Sequence, residues 1–329
     1  MINRSFISAR WGHVADNSTL VRFIDVTLRG CAQVMFQNNP LTGLLFFIAI
    51  FIGAYSEATP AVAWGCLLAT ATATLAGKCL QDSDAWRAGL YGYNGCLVGV
   101  ALPVFMDDTP LMWVAIILAS VISVIMTACI ADILKPWKIA ALTGPFVLTT
   151  WIILLACYSF SGLKFTGLPQ SALPHMMDIT AVSLSGEVFF NTVFKGISEV
   201  FLFSSVVVGI LFVLGLAIES LWAAVFAVGG SVIALFTAVI LGGDGANITT
   251  GLYAFSAVLT AIALGSTFNN PSLHVVIYTF IGVIFTVFVQ GAMNALLLPV
   301  GIPTLTMPFV LSSWLFLLPN KDLMPAHRQ

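Results

Sequence analysis

Long apolar stretches, cut at short intervals by Gly, Pro and polar residues, set the pattern of this chain. A spanning helix needs about 20 mostly apolar residues. On that criterion the first half predicts spans near 41–56, 60–77, 88–105, 111–134 and 138–158. A polar connection, GLKFTGLPQSALPHMMDIT (162–180), leads to a second set near 204–219, 221–242, 251–266, 273–297 and 304–318. Ahead of each set lies one shorter helix of mixed polarity, near 22–37 and near 187–203. The first runs into LRGCAQVMFQNNPLTG (28–43), where Arg29, Gln33, Asn38 and Asn39 make it too polar to cross alone and Pro40 stops the helix. Polar backbone at membrane depth is tolerated only against protein or a water-filled path. This stretch therefore predicts a re-entrant segment forming one wall of a pore.

Composition sharpens the class. Of 329 residues 59% are hydrophobic and 8% charged, with mean hydropathy +1.03, whereas a soluble domain carries about a quarter charged residues. The chain reads as an all-α integral membrane protein. A net charge of −2 gives no support to a nucleic-acid partner. Met1–Thr19 is polar, with Arg4 and Arg10, and lacks the apolar core of a removable signal, so the apolar segments are expected to be retained. Cys31, Cys66, Cys79, Cys96, Cys129 and Cys157 lie mostly inside apolar runs without metal-ligand spacing. They read as small packing residues, and no metal or other cofactor is expected. With the N-terminus in the cytoplasm, Arg4, Arg10, Lys78, Arg87, Lys135, Lys138, Lys321 and Arg328 fall inside, against Lys164, Asp107, Asp108 and Asp244 outside. That bias predicts both termini on the cytoplasmic side of an inner (plasma) membrane.

The halves of the chain match. GLYGYNGCLVGVAL (89–102) aligns with GLYAFSAVLTAIAL (251–264). LTGPFVLTTW (142–151) aligns with LTMPFVLSSW (305–314), seven of ten identical. RGCAQVMF (29–36) aligns with KGISEVFL (195–202), pairing Arg29 with Lys195, Gly30 with Gly196 and Gln33 with Glu199. The offsets are 162, 163 and 166, so order and spacing persist. Shared Tyr, Thr, Pro and Trp argue against chance similarity among apolar helices. Five spans is an odd number, so the second copy enters from the opposite side. The expectation is two inverted homologous halves, 1–170 and 171–329, each with about five transmembrane helices plus one short re-entrant pore helix. Inverted repeats place their substrate site near the midplane, between the halves.

The runs LRGCAQVMFQNNPLTG, LYGYNGCLVGVALPVF and LTGPFVLTTW, continued through the second copy, resemble the urea transporter family over most of the chain. That resemblance implies passive, channel-like conduction of urea by a homotrimer with one pore per subunit, between the inverted halves. Urea is planar and neutral, with four N–H donors along its edges and one carbonyl acceptor. A selective pore needs rows of oxygen acceptors and a flat apolar slot. Helix C-termini supply free carbonyls. Phe36-Gln37-Asn38-Asn39-Pro40 ends one short helix, and Thr143-Gly144-Pro145 and Thr306-Met307-Pro308 are expected to interrupt two later spans.

The family pattern implies that Gln33 and Glu199, followed by Val34 and Val200, contact or orient urea. The bland alternative for Gln33 is a bond to neighbouring backbone. An ionisable Glu199 at membrane depth favours function, because such residues are costly there and line a path. Tyr93 and Leu97 lie four apart on one helix face, and Phe255 and Leu259 repeat the spacing. With Phe36 they are the expected slot, against a reading as ordinary helix packing. The residue matching Phe36 is Leu202, with Phe203 beside it, which makes that side less aromatic or differently built. The resemblance places Thr143 and Thr306 at the narrow mid-pore, donating to the urea carbonyl, unless their hydroxyls only bond their own backbone.

Three other classes compete. An ammonia channel would use paired pore histidines, yet His13, His175, His274 and His327 all fall outside mid-span positions. An ion-coupled transporter would want several intramembrane carboxylates. Of Glu187, Glu199, Glu219 and Asp132, only Glu199 is central. A membrane enzyme lacks support, with no HExxH, GxSxG or His/Cys cluster.

Overall fold

In a computed structural model the described residues are 18–80, 83–174 and 180–318. The terminal charges Arg4, Arg10, Lys321 and Arg328, and His13, His175 and His327, lie outside them. The described chain is all-helical apart from one isolated bridge between Met106 and Phe165.

Polar caps and prolines cut the apolar sequence into helices. Ser18 caps α1 (Thr19–Gln33). Asn39 accepts from the Leu41 N–H and Pro40 takes the first turn of α2 (Pro40–Ser56). Next come α3 (Pro60–Leu80), α4 (Asp84–Arg87, capped by Ser83), α5 (Gly92–Phe105), α6 (Pro110–Leu134, capped by Thr109) and α7 (Gly144–Cys157). The order then recurs: α8 (Gly186–Ser198), α9 (Val206–Glu219), α10 (Leu221–Ile240), α11 (Gly245–Thr250), α12 (Phe255–Ile262), α13 (Leu273–Leu297) and α14 (Met307–Leu317). Lengths match down the series: 21 and 20 residues for α3 and α10, 25 and 25 for α6 and α13.

Four helices are long and apolar enough to cross a bilayer alone: α3, α6 with its 3-10 extension to Trp137, α10 and α13. A fifth span forms if α8 and its extension to Phe201 are taken together with α9, bent from it by 74°. The remaining apolar helices run from 8 to 17 residues. Their shortness has a local cause. The region read as a span at 138–158 becomes helical only at Gly144, because Lys138 and Leu142 adopt left-handed backbone at φ 55° and 52°. Ile139, Ala141, Leu142 and Thr143 are nevertheless buried. Irregular backbone at that depth is sustained by side chains: the Tyr93 hydroxyl donates to Leu142 O (2.7 Å), and Trp314 Nε1 to Ala140 O (3.1 Å).

The repeated Gly-Leu-Tyr motif has a physical role. Gly89 (φ 81°) and Gly251 (φ 95°) both occupy left-handed turns. A Cβ on either would lie 2.6 Å from the backbone nitrogen of Gly30 or Gly196, on the short helices α1 and α8. Only glycine permits that conformation at that approach.

One buried apolar cluster joins residues of both halves, including Val34, Leu97, Leu142, Val200, Phe255, Leu259 and Leu305. Outward residues such as Leu221, Ile240 and Leu273 are apolar and exposed, as lipid-facing positions are. Cys31, Cys66, Cys96 and Cys157 are buried as expected, while Cys79 and Cys129 are exposed; all six are free thiols.

Candidate functional site

The two short helices end in the same way. On α1 the Phe36 N–H bonds to Gln33 O (3.0 Å) and the Gln37 N–H to Ala32 O (3.1 Å). After α8 the Leu202 N–H bonds to Glu199 O (2.9 Å) and the Phe203 N–H to Ser198 O (3.3 Å). This is a Schellman cap, whose left-handed residue is usually glycine. Here it is Phe36 (φ 63°) and Leu202 (φ 60°). A left-handed L-residue costs about 1–2 kcal/mol, so the large side chain is retained against a conformational penalty. The cap leaves the last carbonyls of each helix, at Val34 and Met35 and at Val200 and Phe201, without intrahelical donors. Gln37 Nε2 takes Met35 O (2.8 Å).

Gln33 is buried and its Nε2 donates to Ala88 O (2.9 Å), which leaves its Oε1 as an acceptor. The bond to neighbouring backbone expected as the bland reading is therefore present, and it orients the amide. Ala88 corresponds to Thr250 in the second half. There the carbonyl takes Ser204 Oγ (3.1 Å) instead, so Glu199 is not needed as a donor. Glu199 is 7% exposed, with Glu57 and Lys195 as its charged neighbours.

A cavity of about 50 Å³ brings together Gln33, Val34, Phe36, Tyr93 and Thr143. That is room for a small solute, a few water volumes across. Five further lining residues were not expected: Leu90, Ala140, Leu142, Thr267 and Phe268. Phe268 follows a π-turn, Ala263–Thr267, whose defining bond runs from the Phe268 N–H to Ala263 O (2.9 Å). The π-turn stands at the place that Pro103 holds in α5, and both break a helical ladder. The Phe36 ring meets Phe268 edge-on (centroids 5.8 Å, 79°) and Phe309 likewise (6.0 Å, 69°). Leu97, Val200, Phe255 and Leu259 sit in the adjoining core, and Glu199, Leu202 and Thr306 are also outside the cavity wall. Phe203 is buried against Gly53 of α2.

Thr143 and Thr306 meet. Their Oγ1 atoms are 2.6 Å apart, and the residues are 2% and 3% exposed. Each stands just before its helix, after a left-handed Leu142 (φ 52°) or Leu305 (φ 49°), and neither hydroxyl caps that helix. Pro145 and Pro308 take the first turns of α7 and α14. The expected interruption of two spans is thus two helix beginnings. What they direct at the threonines is the positive end of a helix dipole rather than free carbonyls. Tyr93 and Asn94 lock the first of these turns: Asn94 Oδ1 accepts from the Phe146 N–H (3.1 Å) and its Nδ2 donates to Thr127 Oγ1 (3.0 Å).

Among the described residues no group of three or more His, Cys, Asp or Glu is arranged to hold a metal ion. His274 is exposed in the first turn of α13.

The family model for urea transporters matches residues 24–321. Urea transporter 1 of Ovis aries is 27% identical over 331 residues, covering 97% of this chain and 84% of the relative. The Capra hircus protein of the same name is 26% identical and that of Rattus norvegicus 27%, with the same coverage.

Proposed function

The chain belongs to the urea transporter family, and on that premise we propose that it conducts urea passively across the membrane through a pore between its two halves. The halves, 1–170 and 171–329, are inverted copies. The observation that carries the reading is the cavity lined by Gln33, Val34, Phe36 and Tyr93, one wall of which is Thr143 paired with Thr306.

The chemistry runs in stages. Urea sheds its water between apolar faces: Phe36 with Phe268 and Tyr93 on one side, Leu202, Phe255 and Leu259 on the other, with Leu97 behind. Its N–H edges meet Gln33 Oε1 and the free carbonyl of Val34, then their counterparts at Glu199 and Val200. At the centre the demand reverses. The urea carbonyl needs a donor, and the Thr143–Thr306 pair has one hydroxyl proton beyond the one it shares internally. The dipoles of α7 and α14 favour the carbonyl oxygen there. A hydrated cation finds donors and a positive field at the same place, and is excluded.

The protein works as a homotrimer with a separate pore in each subunit, in the inner membrane with both termini cytoplasmic. Purified protein in vesicles tests the central claim by stopped-flow light scattering. Urea equilibration accelerates over protein-free vesicles and does not respond to a proton or sodium gradient. Equal rates with and without protein would remove the assignment, and gradient dependence would replace it with coupled transport.

A further inference from the structure

The turns that present Thr143 and Thr306 have the same backbone. The Gly144 N–H bonds to Ala141 O (3.3 Å) and the Met307 N–H to Thr304 O (3.2 Å). Leu142 and Leu305 are both left-handed, at φ 52° and 49°. One residue before each turn, the carbonyls of Ala140 and Pro303 take the same kind of bond, from Trp314 and Trp151. A left-handed residue of this kind persists only where its surroundings over-determine it. Two turns of one shape therefore call for two locks.

The locks are not copies. In the first half α5 supplies the lock. The Tyr93 hydroxyl donates to Leu142 O (2.7 Å), Asn94 Nδ2 lies 3.4 Å from the same oxygen, and Asn94 Oδ1 accepts from the Phe146 N–H (3.1 Å). Asn94 Nδ2 also donates to Thr127 Oγ1 on α6 (3.0 Å). The aligned motifs put Phe255 at the place of Tyr93 and Ser256 at the place of Asn94. Phe255 has no polar group to offer, and among the described residues the buried Ser256 hydroxyl has no hydrogen-bond partner. Helix α12 thus gives the second turn neither of the side chains that hold the first.

Helix α13 holds it instead. Helices α6 and α13 have 25 residues each and begin at Pro110 and Leu273, 163 positions apart. That is also the offset between LTGPFVLTTW and LTMPFVLSSW. Thr127 and Gln290 therefore share a place, and so do Ala141 and Thr304. Gln290 is 2% exposed, and its Nε2 donates to Thr304 Oγ1 (2.8 Å) and to Asn294 Oδ1 (2.9 Å). Those two bonds use both amide protons. The two differences from the first half belong together: Thr127 carries no amide to reach the turn, and Ala141 carries no hydroxyl to receive one. The amide that secures the turn stands on α5 in one half and on α13 in the other.

We propose that Gln290 is a positioning residue of the pore, acting through Thr304 to fix the turn that brings Thr306 against Thr143, the part that Tyr93 and Asn94 play for Thr143. This rests on the channel reading above. It goes beyond it in assigning Gln290 and Thr304, neither of which lines the cavity.

Hydrogen exchange by mass spectrometry on the full chain reads the turn directly. Gln290→Leu is expected to speed amide exchange in 304–307 by about fivefold or more and to leave 141–144 unchanged. In vesicles the same variant lowers urea flux by roughly two- to tenfold and narrows the preference for urea over thiourea. Thr304→Val keeps the shape, removes the acceptor and does the same. Thr304→Ser, which keeps the acceptor, restores most of both, and this pair serves where Gln290→Leu folds poorly. Gln290→Leu combined with Thr304→Val is no worse than either alone, because both cut one bond. Ser256→Asn combined with Gln290→Thr rebuilds the first-half lock and recovers most of the flux lost in Gln290→Thr alone. Unchanged exchange in 304–307, or additive losses in the Gln290→Leu and Thr304→Val double variant, overturn the proposal. Faster exchange with wild-type flux and selectivity overturns it too. Faster exchange in these variants of a protein that passes no urea even as wild type would instead overturn the channel reading and leave the hold of Gln290 on the turn intact.

Discussion

Thr143 Oγ1 lies 2.6 Å from Thr306 Oγ1, and the two residues stand at matching places 163 positions apart. Two hydroxyls so placed share one proton and leave one to donate. Thr143→Val or Thr306→Val keeps the shape and removes a donor, at about 0.5–1.5 kcal/mol. That corresponds to roughly two- to tenfold in urea flux. Either single variant leaves a hydroxyl able to turn toward the solute. The double variant leaves none, and its flux is expected to fall further than either single. Stopped-flow rates on folded protein decide this: a double variant with wild-type flux would take the threonines out of the mechanism.

Phe36 holds a conformation that glycine adopts without strain. Phe36→Gly relieves about 1–2 kcal/mol of backbone strain and forfeits edge-on contacts to Phe268 and Phe309, about 0.5–1.5 kcal/mol each. Lost burial of the half-buried ring, up to about 1.5–3 kcal/mol, adds to the lost contacts and outweighs the strain relieved, while the slot opens. The expected result is a lowered unfolding temperature with a loss of preference for urea over bulkier analogues. Leu202→Gly, which removes no aromatic contact, is expected to be neutral or stabilising. Equal effects of both variants on selectivity would show that ring contact at Phe36 is not what defines the slot.

The starts expected near 41, 111 and 204 lie within two residues of those of α2, α6 and α9, and Phe36 through Asn39 marks a real stop. The starts of α7 and α14 were not legible, because hydropathy continues unbroken through Ile139–Leu142 while the backbone turns left-handed. Proline was read as interrupting a helix when it opens one. Gln33, Val34, Phe36, Tyr93 and Thr143, singled out from the repeated motifs and the family resemblance, line one cavity. Phe268 escaped because a π-turn sets its direction, and no local pattern announces an i−5 bond.

Asp244 caps α11 through the Asn247 N–H (3.0 Å) and binds the Thr180 hydroxyl (2.7 Å) and N–H (3.2 Å). Slight burial raises its pKa, but those bonds outweigh it and hold the carboxyl below its ordinary value of 3.8. A depressed pKa contributes stability that is present above the unfolded value and lost as pH falls through the folded one. Asp244→Ala is therefore expected to lower thermal stability at pH 7. The gap from wild type should shrink only below about pH 3.8, as the cap protonates. Thermal unfolding of both proteins across pH 3–7 checks it, and a gap independent of pH would assign the effect to packing.

Trp151 Nε1 donates to Pro303 O (2.8 Å) and Trp314 Nε1 to Ala140 O (3.1 Å), the same bond made in both directions between the halves. Replacing either Trp by Phe keeps an aromatic ring and orphans a carbonyl, a loss of about 1–3 kcal/mol where the carbonyl is buried. The two carbonyls differ in place. Ala140 lines the cavity beside Thr143 and Pro303 does not. Trp151→Phe should then lower the unfolding temperature with urea flux nearly unchanged. Trp314→Phe should lower both, because a freed Ala140 carbonyl competes for the urea N–H groups close to the threonine pair. Paired unfolding and flux measurements separate these outcomes. A flux defect confined to Trp151→Phe would mean that the turn before α14, rather than the one before α7, governs passage.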